Sequence, residues 1–138
     1  MITHEVSAEE VLGLFRSAWW TASRDLSGVT VMLARSDLVF AVRVEGELAG
    51  FARVLTDEVY LAIILDVIVA PAHRGTGLGA AMMDAIVNHP KVSGARSVEL
   101  VCQPDLMPFY GRWGFTDRVG RSRLMRRTAD IELLTPGS

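Results

Sequence analysis

The chain has 138 residues, of which 50% are apolar and 22% are charged. This length suits one folded domain, and the apolar content excludes an intrinsically disordered chain. We therefore expect a single domain over residues 1–138. The formal net charge of −2 does not indicate a nucleic-acid-binding protein.

The cysteine content and the apolar runs indicate the cellular compartment of such a chain. Cys102 is the sole cysteine, so no intramolecular disulfide can form, and the first residues lack the basic-then-apolar order of a secretion signal. The longest largely apolar run, residues 59–70, contains Asp66 and is too short to cross a bilayer. The three histidines have no ligand spacing. We expect a cytoplasmic protein without a membrane anchor or a metal site.

Two helices are predicted before the first long strands. Ser7 and Glu10 have the spacing of a capping box, and apolar residues then recur at helical spacing as far as Trp19. A second, weaker helix is predicted to begin near Ser27. Trp19 and Trp20 would point to different sides of the first helix, so that one packs in the core and the other can line a site.

The middle of the chain alternates strand and helix patterns. Residues 38–44 and 48–55 are rich in β-branched and aromatic residues, and the hairpin turn Glu45-Gly46-Glu47 separates them. The apolar run 59–70 predicts a strand covered on both faces at the centre of a sheet. A helix of about three turns follows from Leu78. A strand over 97–102, a short helix over 104–112 and a strand pair over 114–119 and 124–128 complete the prediction.

The glycine-rich segment Arg74-Gly75-Thr76-Gly77-Leu78-Gly79 lies between a predicted strand and a predicted helix. Glycines let backbone amides approach an anion without obstruction by a Cβ atom, and the helix dipole favours a phosphate at this position. Simple packing of a strand against a helix is the alternative explanation. The glycine spacing differs from the dinucleotide fingerprint G-x-G-x-x-G, and no Gly-Lys-Ser/Thr of a nucleotide P-loop follows.

Three motifs together resemble the GNAT superfamily of N-acetyltransferases. They are Val67-Ile68-Val69-Ala70-Pro71, Arg74-x-x-Gly77-x-Gly79 and Phe109-Tyr110-x-x-x-Gly114-Phe115. The predicted order of strands and helices matches this family as well. The resemblance implies its acyl-CoA N-acyltransferase fold, an α/β (α+β) architecture with a mixed, mostly antiparallel central sheet of six to seven strands and flanking helices. It also implies acetyl-CoA as the co-substrate.

The resemblance assigns residues to the cofactor and to the chemistry. The main chain of two residues in the first motif would pair with the pantetheine amides, and the glycine-rich segment would hold the pyrophosphate. The implied cofactor-binding residues are Val67, Ile68, Val69, Arg74, Gly75, Thr76, Gly77, Leu78, Gly79 and Phe109, with Val67 and Val69 as the pantetheine partners. The family's general acid falls on Tyr110, whose phenol would protonate the departing CoA thiolate. A tyrosine that only packs beside Phe109 and Phe115 is the alternative.

The motifs leave the general base open. The glutamate that serves in the protein-lysine-acetylating branch falls on Ile63 or Ile64 in this chain. Asp66 is the substitute candidate, because burial inside an apolar strand would raise its pKa toward that of a working base. Glu58, Tyr60 or a water relay could serve instead, and Asp66 could be a structural carboxylate bonded to its neighbours.

The resemblance implies direct transfer of an acetyl group to a primary amine of a small molecule, an amino acid or a peptide. In the family, the segment between the first two helices borders the acceptor pocket, so Trp19 and Trp20 are candidates for its wall. Two alternatives stay open, a protein-lysine acetyltransferase and a noncatalytic acyl-CoA-binding sensor. Relatives often pair through their late strands, so a homodimer is a further expectation.

Overall fold

A computed structural model describes residues 2–135, which fall into two compact units divided after Cys102. The helices and strands follow in the order β1 (Ile2–Thr3), α1 (Ala8–Phe15), α2 (Leu26–Arg35), β2 (Leu38–Val44), β3 (Glu47–Thr56), β4 (Leu61–Val69), α3 (Leu78–Val87), α4 (Pro90–Ser93), β5 (Ser97–Leu100) and α5 (Met107–Gly111). No helix between residues 2 and 135 has the length and apolar content that a membrane span requires.

The five strands found within residues 2–135 belong to the first unit and form one sheet in the order β1-β2-β3-β4-β5. The pairs are antiparallel except for β4 and β5, which run parallel. Glu45 and Gly46 both have positive φ, at 51° and 81°, which gives the tight two-residue turn that a β2–β3 hairpin needs. In this strand order the middle strand is β3. The prediction that residues 59–70 form the centre of the sheet is wrong.

Helices cover both faces of the sheet. The buried residues of α1 and α2 pack with Phe51 and Ile68 on one face. Phe40 lies opposite Ala52, the neighbour of Phe51, and therefore faces the other side of the sheet. Its ring lies 5.9 Å from that of His89, which joins α3 to α4. The first unit thus has the layered arrangement that the sequence predicts.

The second unit begins at Gln103 and differs from the prediction. Within residues 103–135 the structure contains α5 and short 3-10 turns, whereas the predicted strand pair over 114–119 and 124–128 is absent. Leu124 is 70% exposed and Met125 is 93% exposed. An apolar, β-branched stretch becomes a strand only beside a partner edge. The described residues accordingly hold five strands, fewer than the six to seven predicted.

Candidate active site

The two halves of strand β4 have different strand neighbours. Ile64 pairs with Val54 of β3 on one side and with Leu100 of β5 on the other. Because β5 ends at Leu100 and β4 continues to Val69, residues 65–69 have a strand partner on the β3 side alone within the described chain. One edge of β4 is therefore open just before the glycine-rich loop.

The open half of β4 begins with a bulge. Phe51 pairs with Ile68 and Arg53 with Leu65, so that one residue of β3 lies opposite two residues of β4. Asp66 is one of these two, and its φ of +54° lies in the left-handed region, which aspartate enters more readily than most residues. A bulge bends a strand and redirects its side chains. Here it separates the paired half of β4 from the open half.

The side chain of Asp66 binds two arginines. Arg24 donates through its two terminal nitrogens, Nη1 to Oδ2 at 2.7 Å and Nη2 to Oδ1 at 3.1 Å. Arg53 donates from Nε to Oδ2 at 2.7 Å. The Asp66 side chain is 6% exposed, against 16% for Arg53 and 33% for Arg24. The carboxylate therefore lies in a largely buried cluster with one more positive than negative charge.

This cluster determines the pKa of Asp66. Burial disfavours the ionised carboxylate and by itself would raise the pKa, but the hydrogen bonds and charges of Arg24 and Arg53 outweigh it and lower the pKa below its usual value. The prediction of a raised pKa is wrong, because it took account of burial without the two guanidinium groups. Asp66 is ionised at neutral pH and bonded through both of its oxygens.

The glycine-rich loop follows β4 after a 3-10 turn over Pro71–His73. Gly75 and Gly77 have φ of +78° and +86°, and Gly77 is the N-cap residue of α3. A Cβ atom at either glycine would meet no atom within 4 Å, so the space in front of the loop is open. Side chains would strain this backbone, which explains the choice of glycine.

The amides of the loop are available to an anion. The first amides of α3, from Leu78 on, have no acceptor inside the helix, as at every helix N-terminus. Among residues 2–135, no hydrogen bond is seen from the amides of residues 75–77. These donors at the positive end of a ten-residue helix fit a pyrophosphate group.

The structure brings Val69 and Arg74 together at the open edge of β4. The amide of Ala70 donates to Ala49 of the preceding strand at 2.7 Å. Because main-chain groups alternate in direction along a strand, those of Val69 point away from β3. The Val69 carbonyl accepts a hydrogen bond from Arg74 Nε at 3.2 Å. Ile68, by contrast, is 3% exposed and packs in the core.

The two tryptophans lie beyond α1, in the turns over residues 16–23, because the helix ends at Phe15. The prediction that they share the first helix is wrong. Thr21 holds this segment through its hydroxyl, which donates to the Phe15 carbonyl at 2.7 Å. Trp20 packs against the core, and Trp19 is 54% exposed. The exposed ring of Trp19 is the one available to an acceptor.

Tyr110 belongs to the second unit, in α5. It is 6% exposed, and its ring centroid lies 5.0 Å from that of Phe109 and 6.4 Å from that of Phe115. Arg112 stacks over the Phe109 ring at 5.5 Å. The aromatic neighbours expected from the sequence therefore surround Tyr110, while its role as an acid stays a prediction.

Arg24 and Arg53 are the site residues that sequence reasoning missed. Arg53 offers a signal in retrospect, because it interrupts a strand whose neighbours Phe51, Ala52 and Val54 are buried. A charged side chain at such a position needs a partner.

Among the described residues, no group of three His, Cys, Asp or Glu side chains could hold a metal ion.

Comparison with known proteins adds the family. The family model described as acetyltransferase (GNAT) family matches residues 7–115. A solved structure from Xanthomonas campestris pv. campestris, assigned to the GNAT family, is 31% identical with a TM-score of 0.82, and the match covers 94% of this chain and 92% of that one. The fold expected from the sequence is thereby confirmed.

Curated relatives agree with this assignment. The "Uncharacterized N-acetyltransferase ycf52" of Porphyra purpurea is 28% identical over 117 residues, which cover 82% of this chain and 67% of that protein. The "GCN5-related N-acetyltransferase 1, chloroplastic" of Arabidopsis thaliana is 34% identical over 94 residues, 67% of this chain and 48% of that protein. The chain thus spans about half to two thirds of the length of these relatives.

Proposed function

Because the chain belongs to the acetyltransferase (GNAT) family, we propose that it transfers the acetyl group of acetyl-CoA to a primary amine by direct attack. The acceptor is a small molecule, an amino acid or the end of a peptide. One observation carries the proposal: the open edge of β4 leads directly into a loop of available amides at the start of α3. We also keep as predictions a single domain, a cytoplasmic location and a homodimer.

In this proposal the two parts of the open region bind different parts of the co-substrate. Acetyl-CoA supplies an activated thioester and an anionic pyrophosphate. The amides of residues 75–80 bind the pyrophosphate, supported by the N-terminal dipole of α3. The main chain of Val67 and Val69 binds the amides of the pantetheine arm along the open edge. Arg74 Nε donates a hydrogen bond to the Val69 carbonyl. This hydrogen bond would have to break when the pantetheine arm binds.

Tyr110 is the proposed general acid. The group that would act is its phenol hydroxyl, which can donate a proton. It would donate that proton to the CoA thiolate as the thioester bond breaks, and the amine nitrogen would keep the acetyl group. Proton transfer by a positioned side chain contributes roughly 10²-fold to 10⁴-fold to a rate.

For Asp66, the geometry favours a positioning role over that of a base. A carboxylate with a lowered pKa, bonded through both oxygens to guanidinium groups, has little affinity for a further proton. We propose that Asp66 holds Arg24 and Arg53 in place, and that the amine loses its proton to water. The base assignment made from the sequence stays untested, and Asp66→Asn distinguishes the two roles.

The proposal is tested by the release of CoA thiol from acetyl-CoA across a panel of primary amines, with the parent chain and Tyr110→Phe. The variant keeps the ring and removes the proton, so we expect kcat to fall by about 10²-fold or more while acetyl-CoA affinity holds. Unchanged kcat would exclude Tyr110 as the acid. Binding of acetyl-CoA without turnover of any amine would favour the noncatalytic sensor.

A further inference from the structure

A second feature of the first unit bears on the choice of acceptor. A cleft of about 370 Å³ opens beside the cluster of Asp66 with its two arginines. Its wall combines the start of α2, the segment before it and one side chain of β3, namely Ser23, Arg24, Asp25, Gly28, Val29, Met32 and Arg53. The cleft therefore lies between α2 and the bulged half of the sheet.

Arg53 uses only part of its guanidinium in the protein. Its Nε binds Asp66, and among the described residues no hydrogen bond involves its two terminal amino groups. No nitrogen of this side chain is both buried and without a partner, and Arg53 is one of the residues that line the cleft. A guanidinium presents its donors as a planar fork that matches a carboxylate or a phosphate. The outer edge of Arg53 is thus a preformed donor pair.

The charges around the cleft favour an anion at this edge. The negative charge of Asp66 compensates one of the two positive guanidinium charges, and Arg24 binds this carboxylate through both terminal nitrogens. One positive charge of the cluster is left over, and the Arg53 side chain is the less exposed of the two arginines, at 16% against 33% for Arg24. Asp25 also lines the cleft, but it is exposed and its Oδ1 already accepts the Gly28 amide at 2.8 Å. Charges interact more strongly at the less hydrated Arg53 than at an exposed carboxylate.

We propose that this cleft selects amines that carry an oxyanion, a carboxylate or a phosphate, and that Arg53 binds it through its terminal amino groups. The inference rests on the proposed function, since it names the acceptor class of the same site. Arg53 is the binding residue. Asp66 is a positioning residue that keeps the Arg53 fork turned toward the cleft.

The test compares three amines of similar length, namely 4-aminobutanoate, its carboxamide and the phosphate ester of 3-aminopropanol. We expect KM for an anionic amine to lie at least about tenfold below that for the carboxamide, as for loss of a hydrogen bond to a charged group. The preference between carboxylate and phosphate identifies which oxyanion the cleft takes. Arg53→Lys keeps the charge beside Asp66 but lacks the fork, so KM for the anionic amines should rise to that for the carboxamide.

Arg35→Lys is the matched control, because Arg35 is an exposed arginine in the last turn of the same α2 helix. Saturable shifts of the Gly28 and Val29 amide signals with 4-aminobutanoate, weakened in Arg53→Lys, would support the site even if no amine were acetylated. Turnover with equal KM for all three amines would overturn the inference and leave the proposed function intact. An equal fall in kcat/KM for all three amines in Arg53→Lys would also overturn the inference, since that pattern indicates a structural role.

Discussion

The two halves of β4 differ in their neighbours and therefore in what they can do. Residues 61–64 lie between β3 and β5, and Ala62 and Ile64 are buried. Residues 65–69 pair with β3 alone within the described chain, begin with a bulge and lead into the loop before α3. The paired half satisfies its backbone through the sheet. The open half has no β5 partner, and we propose that its backbone groups bind the co-substrate.

This difference predicts that the two halves of β4 contribute differently to stability and to ligand binding. In the paired half, apolar side chains at alternate positions fill the core. In the open half, the left-handed backbone of Asp66 and its two arginines interrupt this packing, which resumes at Ile68. Substitutions in the paired half should therefore change the free energy of unfolding, and substitutions in or after the open half should change ligand binding as well.

The largest effect on stability is expected from Ile64→Ala in the paired half. Ile64 is 2% exposed, and truncation of such a side chain leaves a cavity that costs about 3 kcal/mol. Unfolding in urea measures the loss, and acetyl-CoA affinity of the folded variant should be unchanged. Ile63→Ala, at the half-buried neighbouring position, should cost less. Weaker acetyl-CoA binding with full stability would contradict this division of β4.

A smaller loss is expected from Asp66→Asn, which retains the shape of the side chain and tolerates the positive φ. Removal of the charge leaves Arg53 and Arg24 without an anionic partner. We expect a cost of about 2 kcal/mol, less than for a fully buried pair, because Arg24 is 33% exposed. Unfolding at neutral pH measures it.

The same variant carries a pH signature. The pKa of Asp66 is lower in the folded chain than its usual value. The ionised carboxylate therefore stabilises the folded chain fully at any pH above the unfolded-state pKa, which is about 4. This stabilisation is lost as the pH falls through the folded-state pKa. The stability difference between the parent chain and Asp66→Asn should therefore shrink on acidification. A difference that stays constant or grows as the pH falls would show that the ion pairs do not stabilise the bulge.

The smallest change in stability is expected from Gly77→Ala, with Gly46→Ala as its match. Both glycines have positive φ, at 86° and 81°, and open space where a Cβ would project. Each variant should lose about 1 kcal/mol from backbone strain. Only Gly77→Ala should also weaken acetyl-CoA binding, by about tenfold or more, because it alters the anion-binding amides. Equal affinity in the two variants, measured by calorimetry, would remove the loop from the binding site.

Local signals in the sequence predict much of the first unit. The capping box of Ser7 and Glu10 forms as predicted, β2 has the predicted bounds, and α3 begins at Leu78. Each of these features depends on residues close together in the chain. The strand pair predicted after residue 113 fails, since an apolar pattern does not reveal whether a partner edge is available.

The charged cluster could not be predicted in the same way. Arg24 and Arg53 stand 42 and 13 residues from Asp66 in the chain, and strand register and a bulge bring them together. The sign of the Asp66 pKa shift depends on those contacts, so burial alone predicted the wrong direction. The position of the glycine-rich loop before α3 could be predicted, because it depends on consecutive residues, while its binding of the pyrophosphate stays a prediction.

Amide hydrogen exchange with and without CoA tests the division of β4 most directly, because it reports on both halves of the strand in one experiment. The account predicts that CoA slows exchange at Val69 and at residues 75–80 and leaves residues 61–64 unchanged. Slower exchange confined to residues 61–64, or no change at residues 75–80 at saturating CoA, would contradict it.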